Sequence, residues 1–172
     1  MEMVGSGENI TGEELLKRYG AGERNFPLIS LYDEKCVLEG ASLRGISMMG
    51  GYFVGGSLCD TNLSDSCLIG FDFNCMGLDG ANLSHADLTG ACLWSAFFTN
   101  ANFSNCILKG ANLRKAILCN ANLRGAVLDG ANLADADFTG AHFFIKRYMT
   151  GILFWNTTMP DESVIEGPVF IN

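Results

Sequence analysis

The sequence predicts an all-β solenoid, a chain wound in short extended steps and corners, and three registers predict it. Leu, Phe or Met stands at every fifth residue from Leu38 to Phe143, 22 positions without a break. Two residues before each comes a small residue, usually Ala, as at Ala81, Ala86, Ala91, Ala96 and Ala101. Two residues after usually comes Gly, Asp or Asn, as at Gly40, Gly45, Asp60, Asp65, Asn100 and Asn105. A helix repeats its apolar face every 3.6 residues and a strand every 2, so a period of five is neither. Within each five, the central residue and the small residue two before it face the same side, as in a strand. Gly, Asp and Asn tolerate the turn conformations that the corner requires.

The runs ANLSH-ADLTG-ACLWS and ANLRK-AILCN-ANLRG-AVLDG-ANLAD-ADFTG resemble the pentapeptide-repeat family, whose consensus is A(D/N)LXX. The resemblance covers Cys36 to Phe144. It implies a right-handed quadrilateral β-helix, four pentapeptides to a coil, with the central residue and the Ala inside. At roughly 4.8 Å per coil, the 22 units make a rod roughly 26 Å long. Residues 20 apart then stack. Leu63, Leu83, Phe103 and Leu123 form an inner column, and Phe53 lies under Phe73. Asn62, Asn82, Asn102 and Asn122 form a ladder just outside the core, a structural rather than a ligand-binding feature. Ile46, Phe71 and Met76 are large for the Ala register, so the coil is expected to swell or bend near 71–77.

Both ends of such a rod need caps. Thr11-Gly12-Glu13-Glu14 reads as a capping box that opens a short N-terminal helix over about 12–21, with Leu15, Leu16 and Tyr19 on the first coil. Phe26 to Tyr32 reads as one imperfect strand, with Leu28 in register and Asp33 breaking it. After Phe143 the pattern fails, since Lys146 would bury a charge. The segments LLKRYGAGERNF and FWNTTMPDES resemble the ends of cyanobacterial and chloroplast pentapeptide-repeat proteins. The chain therefore divides into a flexible N-terminus at 1–10, a capping helix and lead-in at 11–35, the repeat β-helix at 36–144 and a C-terminal cap at 145–172.

The chemistry of the sequence is sparse. No nucleophile elbow, phosphate loop or metalloprotease motif appears, and a packed coil offers no pocket, so the chain reads as no enzyme and without a cofactor. Seven Cys is an odd number, with no C-x-x-C, and His85 and His142 stand alone. These read as reduced thiols in a cytoplasmic protein, with no metal site. A thylakoid lumen location follows if a targeting peptide has been removed. The net charge of −8 and the lack of a long apolar run argue against direct nucleic-acid or membrane binding.

Function is then expected on the outward positions. Trp94, Phe97, Ile107, Ile117 and Val127 are apolar there and form the candidate interaction surface, Phe97 stacking with Ile117 and Ile107 with Val127. Tyr52 is a further candidate. Asp60, Asp65, Asp72, Asp79 and Asp87 fall in a stretch without Lys or Arg, while Lys109, Arg114, Lys115 and Arg124 make a basic end. Together these features point to a non-enzymatic protein–protein interaction scaffold, monomeric or dimeric through its C-terminus, whose partner the residues do not name. The resemblance also implies an alternative, a DNA mimic that binds a type II topoisomerase.

Overall fold

The computed structural model describes residues 7–142 and 150–171. The first six residues of the N-terminus, and Phe143, Phe144 and Lys146, lie outside the described residues. The chain runs through β1 (Asn9–Thr11) and α1 (Gly12–Gly20), followed by β2 (Ser30–Tyr32) and β3 (Tyr52–Val54). Later come β4 (Ile152–Phe154), β5 (Thr157–Thr158), β6 (Val164–Ile165) and β7 (Val169–Ile171). The body of the molecule is a ladder of single parallel bridges. From Ser42↔Asn62 to Asn122↔His142, every bridge joins residue i to residue i+20. Four pentapeptides thus make one coil, each coil lies directly on the previous one, and the cross-section has four sides.

The fifth-residue period follows from where each backbone group goes. In the unit Ala81 to His85, the Asn82 N–H donates to the coil before, at Thr61 O, 3.0 Å. The Leu83 and His85 N–H groups donate to the coil after, at Asn102 O and Ser104 O, 2.8 and 3.0 Å. The next Ala N–H, that of Ala86, closes the corner onto Leu83 O at 3.1 Å. One N–H remains in each five, and the Asn82 side chain takes it: Ser84 N–H donates to Asn82 Oδ1 at 3.1 Å. This Asx turn explains why Asn or Asp sits one place before the central residue. The same bond recurs at Asn62, Asn102, Asn112, Asn122, Asn132, Asp72, Asp87 and Asp137. The corner after each Leu has positive φ, which Asp60, Asp65, Asn100 and Asn105 adopt beside the glycines.

Inside, the central residues and the Ala register are buried along the coil, Leu63, Phe73, Leu83, Phe103 and Leu123 among them. Each buried Leu or Phe contributes about 1.5–3 kcal/mol by removal from water. Thr61, Ser66 and Thr157 stand in the small-residue register and stay satisfied. Their hydroxyls donate to Leu38 O, Leu63 O and Leu133 O at 2.7, 2.6 and 2.8 Å. Phe53 is only half-buried, at the edge of this column.

The large residue at 71 does not shift the coil out of register. The bridges at Tyr52, Asp72 and Cys92 keep the regular register, and Phe71 O still accepts from Cys92 N–H at 3.0 Å. Space for the Phe71 ring comes from the coil below, where Gly51 occupies the small-residue register. A Cβ on Gly51 would sit 2.9 Å from Phe71 Cε2 and 2.7 Å from Ile29 O. Phe71 and Phe73 pack with ring centroids 4.4 Å apart.

The lead-in is shifted relative to the sequence expectation. Leu31, not Leu28, continues the inner column, pairing with Phe53, and Phe26 is buried below Met48. Leu28 is a corner residue with φ 56° and is exposed. The coils there are slightly longer than in the body of the rod, since β1 pairs with β2 and β2 with β3 at Asn9↔Ser30↔Tyr52. Asn9 and Ile10 thereby join the first coil instead of remaining a loose N-terminus, and Ile10 is buried. Asp33 is buried but not orphaned. Its two carboxylate oxygens each accept a backbone N–H, from Val37 and Leu38, at 3.0 Å. α1 forms where its capping residues stand: Thr11 Oγ1 accepts from Glu14 N–H at 3.2 Å, Leu15 is buried, and Leu16 and Tyr19 pack on the first coil.

At the other end the ladder continues to Thr158. The parallel bridges Asn132↔Leu153 and Asp137↔Thr158 each enclose one residue more than a coil in the body of the rod. Ile152, Phe154 and Thr157 are buried there. The chain then turns back, β7 pairing antiparallel with β4 and β6 with β5, and this covers the free edge of the last coil.

Gly51→Ala is expected to destabilise the protein by about 1–3 kcal/mol, because a methyl there overpacks Phe71 and the Ile29 carbonyl. Urea unfolding measures it; an unchanged midpoint would show that Gly51 is not what accommodates Phe71.

Candidate interaction surface

A square coil has four outer faces, each lined by the residues one before and one after the central position. The first face carries the Asn ladder. Nδ2 of Asn82, Asn102 and Asn122 donates to Oδ1 of the Asn one coil below at 3.5, 3.2 and 3.2 Å. His142 continues the column. The second face stacks Ser47, Cys67, Asp87, Ile107 and Val127. The third stacks Tyr52, Asp72, Cys92, Asn112, Asn132 and Leu153, and the fourth Gly77, Phe97, Ile117, Asp137 and Thr158.

The five candidate residues do not form one surface. Trp94 stands on the third face and Phe97 on the fourth, separated only by the corner at Ser95 and Ala96, and Ile117 lies on the coil above Phe97. These three make one contiguous edge, with Trp94 38% and Phe97 44% exposed and Ile117 half-buried. Ile107 and Val127 stack on the second face, two sides away and so across the square from the fourth. Both are exposed.

Near this edge the Asx acceptor of the repeat is missing, and the coil below replaces it. Cys92 stands in the Asx position before Trp94, and Asn74 Oδ1 accepts from Trp94 N–H at 3.1 Å. Phe97 stands in the next one, and Asp79 Oδ1 accepts from Thr99 N–H at 2.7 Å. The edge is thus relieved of its usual polar residues without leaving either backbone donor unmade. Sequence reading missed these two acceptors. Their signal is an Asn or Asp directly after the central residue, as behind Phe73 and Leu78, one coil before an unassisted N–H. The same signal recurs at Asp129, whose Oδ1 accepts from Thr150 N–H at 3.1 Å.

The aspartates of the acidic stretch are largely occupied. Asp72, Asp79 and Asp87 accept backbone N–H groups, and Asp65 pairs with Arg44 at 2.8 Å. On the basic end, Arg114 pairs with Asp135 at 3.1 Å. Beside that pair, on the third face, lies a shallow depression of about 350 Å³ bounded by Arg114, Ala134 and Trp155. Among the described residues no cluster of His, Cys, Asp and Glu is arranged to hold a metal, and no helix is long and apolar enough to cross a membrane.

The seven thiols are all unpaired. Cys106 is buried in the small-residue register, and burial, with Asp87 nearby, raises its pKa well above the usual thiol value. Partial burial and a hydrogen bond to Asp137 raise that of Cys119. On Asp137 burial acts in the opposite sense, but the Thr139 hydroxyl and N–H and the Cys119 thiol hold it below the ordinary carboxylate value. Cys75 is exposed at a corner.

A family model described as pentapeptide repeats, in eight copies, matches residues 78–105 and 106–143. These residues belong to the pentapeptide-repeat family. A search of curated proteins returns no match. Among solved structures, this chain is similar to a pentapeptide-repeat protein from the Arabidopsis thaliana thylakoid lumen. The identity is 32%, over 58% of this chain and 66% of that one, with a TM-score of 0.39. It is also similar to HetL, a pentapeptide-repeat protein involved in heterocyst differentiation regulation in the cyanobacterium Nostoc sp. strain PCC 7120. There the identity is 23%, over 90% of this chain and 99% of that one, with a TM-score of 0.37. A third is QnrB1, a plasmid-mediated fluoroquinolone resistance protein, at 19% identity over 80% of this chain and 72% of that one, with a TM-score of 0.47.

Native-state alkylation read by mass spectrometry is expected to modify Cys75 first and Cys106 last, with rates about 100-fold or more apart, because only an exposed thiolate reacts. Comparable rates would mean that the coils part readily around residue 106.

Proposed function

We propose that the protein is a non-enzymatic scaffold that binds another protein through the outer faces of a right-handed, four-sided β-helix. The edge formed by Trp94, Phe97 and Ile117 is the contact surface. One observation carries this reading: the Asx acceptor of the repeat is given up beside Trp94 and at Phe97, and Asn74 and Asp79 supply the missing hydrogen bonds from the coil below. A backbone N–H shut off from water without a partner costs about 1–3 kcal/mol, so a partner could cover Trp94 and Phe97 without that penalty. The rigidity of the rod favours a partner that meets it without reshaping it. Ile107 and Val127 offer a second, opposite contact. Unpaired thiols suit a reducing compartment such as the cytoplasm.

A pull-down from the native host, wild type against Phe97→Ala/Ile117→Ala, is expected to lose its main partner in the variant by at least about tenfold, since central apolar contacts dominate interface energy. The purified partner should then bind wild type and not the variant by calorimetry. Equal recovery with both proteins removes this edge from the account.

The acidic composition also fits a duplex mimic directed at a type II topoisomerase, but Arg114, Lys115 and Arg124 interrupt the acidic surface, and the aspartates at 72, 79 and 87 are engaged in turns. DNA gyrase supercoiling is accordingly expected to be unaffected by micromolar protein. Inhibition, or relief of fluoroquinolone poisoning, would overturn the scaffold reading in favour of the mimic.

A further inference from the structure

The depression on the third face is made by two departures from the repeat that the Trp94–Phe97–Ile117 edge does not use. The first is a small residue on the outside. Along this face the residue after each centre is Val54, Asn74, Trp94, Arg114, Ala134 and then Trp155. Ala134 is the one small member of that column, so the surface steps inward between two long side chains.

The second departure is Leu153. It stands opposite Asn132, in the position that Asp72, Asn112 and Asn132 fill on preceding coils, and gives the depression an apolar wall. An Asx there would have served Trp155 N–H, which donates instead to Thr157 Oγ1 at 3.1 Å. Trp155 O accepts from Asp135 N–H at 2.6 Å. The backbone that carries the indole is therefore fixed, while the side chain stays 49% exposed.

The rim is polar and balanced. Arg114 donates through Nε to Asp135 Oδ2 at 3.1 Å, which leaves both Nη groups to donate and Asp135 Oδ1 to accept. Asn132 Oδ1 accepts from Ala134 N–H at 3.1 Å, so its Nδ2 is the group left to donate. Asn156, at the corner beside Trp155, adds a second amide. The one cation and the one anion of the lining pair with each other, and the depression carries no net charge.

These features select a ligand by its chemistry. A neutral lining offers a charged ligand little attraction. Donors and acceptors set side by side suit hydroxyls, each of which donates and accepts at once. An exposed indole beside an apolar floor suits a ring with C–H groups on one face. A flat heteroaromatic ring has two apolar faces, and a shallow depression covers only one. We infer that this depression is a binding site for a neutral saccharide. One sugar ring lies against Trp155 over Ala134, with its hydroxyls turned to the Arg114–Asp135 pair and the Asn132 amide. Its volume of about 350 Å³ is near the lower end for ligand pockets, roughly 300–1,000 Å³, and suits a mono- or disaccharide. The site shares no residue with the edge of Trp94, Phe97 and Ile117, and it stands whether or not that edge binds a protein.

The chain has two tryptophans, so the two indole N–H resonances in a nitrogen-15 NMR spectrum report the site and a control. Trp94→Phe assigns them. The probes are glucose, galactose, maltose and cellobiose. At least one is expected to shift the Trp155 resonance saturably by about 50 mM while that of Trp94 stays in place, because a ligand covered on one face binds weakly. Ala134→Leu fills the depression from its floor without entering the core, and should weaken that binding about tenfold or more by excluding the ring. Arg114→Met, which removes the rim donors, should weaken it as well. The remaining amide resonances confirm that each variant folds.

No saturable shift with any of these sugars overturns the inference. Equal movement of both indole resonances also overturns it, since that is non-specific contact with exposed rings. So does binding that Ala134→Leu leaves unchanged. Saturable binding of adenosine without binding of any sugar would assign the indole to a flat heteroaromatic ligand instead. The Phe97→Ala/Ile117→Ala pull-down bears only on the contact edge, so failure of either experiment leaves the other reading in place.

Discussion

The structure depends on one obligation: every backbone N–H in a coil with no conventional hairpins must find an acceptor. Three of the five in each unit are met by neighbouring coils, and one closes the corner. The fifth falls to a side chain, and Asn or Asp is short enough to reach forward two residues and accept it. The inner Leu, the small residue, the Asx and the positive-φ corner are therefore one solution rather than four preferences. A change at any of them disturbs the others. Leu at the centre fills the square only if the residue two before it is small, and the corner closes only if its residue accepts a left-handed conformation.

That coupling explains which parts of the molecule were legible in the sequence. Wherever the central and small-residue registers ran together, as over 78–142, the period alone located the core and the corners. It was misleading where one register was missing. Leu28 kept the fifth-residue spacing but had Phe26 where the small residue belongs, and the structure places it at a corner, with Phe26 and Leu31 inside. Asp33 looked like a breaker, yet its carboxylate takes two backbone N–H groups that the irregular coil leaves over. Phe71 looked too large because its own register was read alone. The residue that matters lies one coil earlier, at Gly51, and a reading along the chain does not weigh it. Past His142 the coil lengthens slightly, so Ile152 and Phe154 leave the register while still stacking in the core.

The outer surface is legible in a different way. The residues one before and one after the centre carry little packing information, and the sequence could identify unusual ones but not group them. Stacking of successive coils puts Phe97 with Ile117 and Ile107 with Val127, and the square then separates the two pairs to opposite sides. Trp94 joins the first pair across a corner. Along its own face it joins Tyr52, Val54 and Trp155, which stand on other coils of the same ladder. Neither association exists in the linear order. The acidic stretch shows the reverse: conspicuous in sequence, it disperses in the structure into turn acceptors and one ion pair with Arg44.

Surface substitutions in this fold are limited by the same obligation that builds the core. Replacing an Asx by an apolar residue exposes a hydrophobic side chain and also takes the acceptor from an N–H two residues on. Asn74 and Asp79 show how the coil adapts: the acceptor is shifted one coil down and from before the central residue to after it, so the face above becomes free to be apolar. Ile107, Ile117 and Val127 carry no acceptor atom, and the N–H groups two residues after them face the outside of the rod, where water can serve them instead. A partner that covered those positions would remove that water, whereas at Trp94 and Phe97 the protein supplies the acceptor itself. The supported apolar edge is therefore the one that can be buried at least cost. It is built across a pair of coils, with the polar residues of one holding the backbone beneath the aromatic residues of the next. The departures from the repeat between Asn74 and Thr99 are places where residues of two successive coils complement each other.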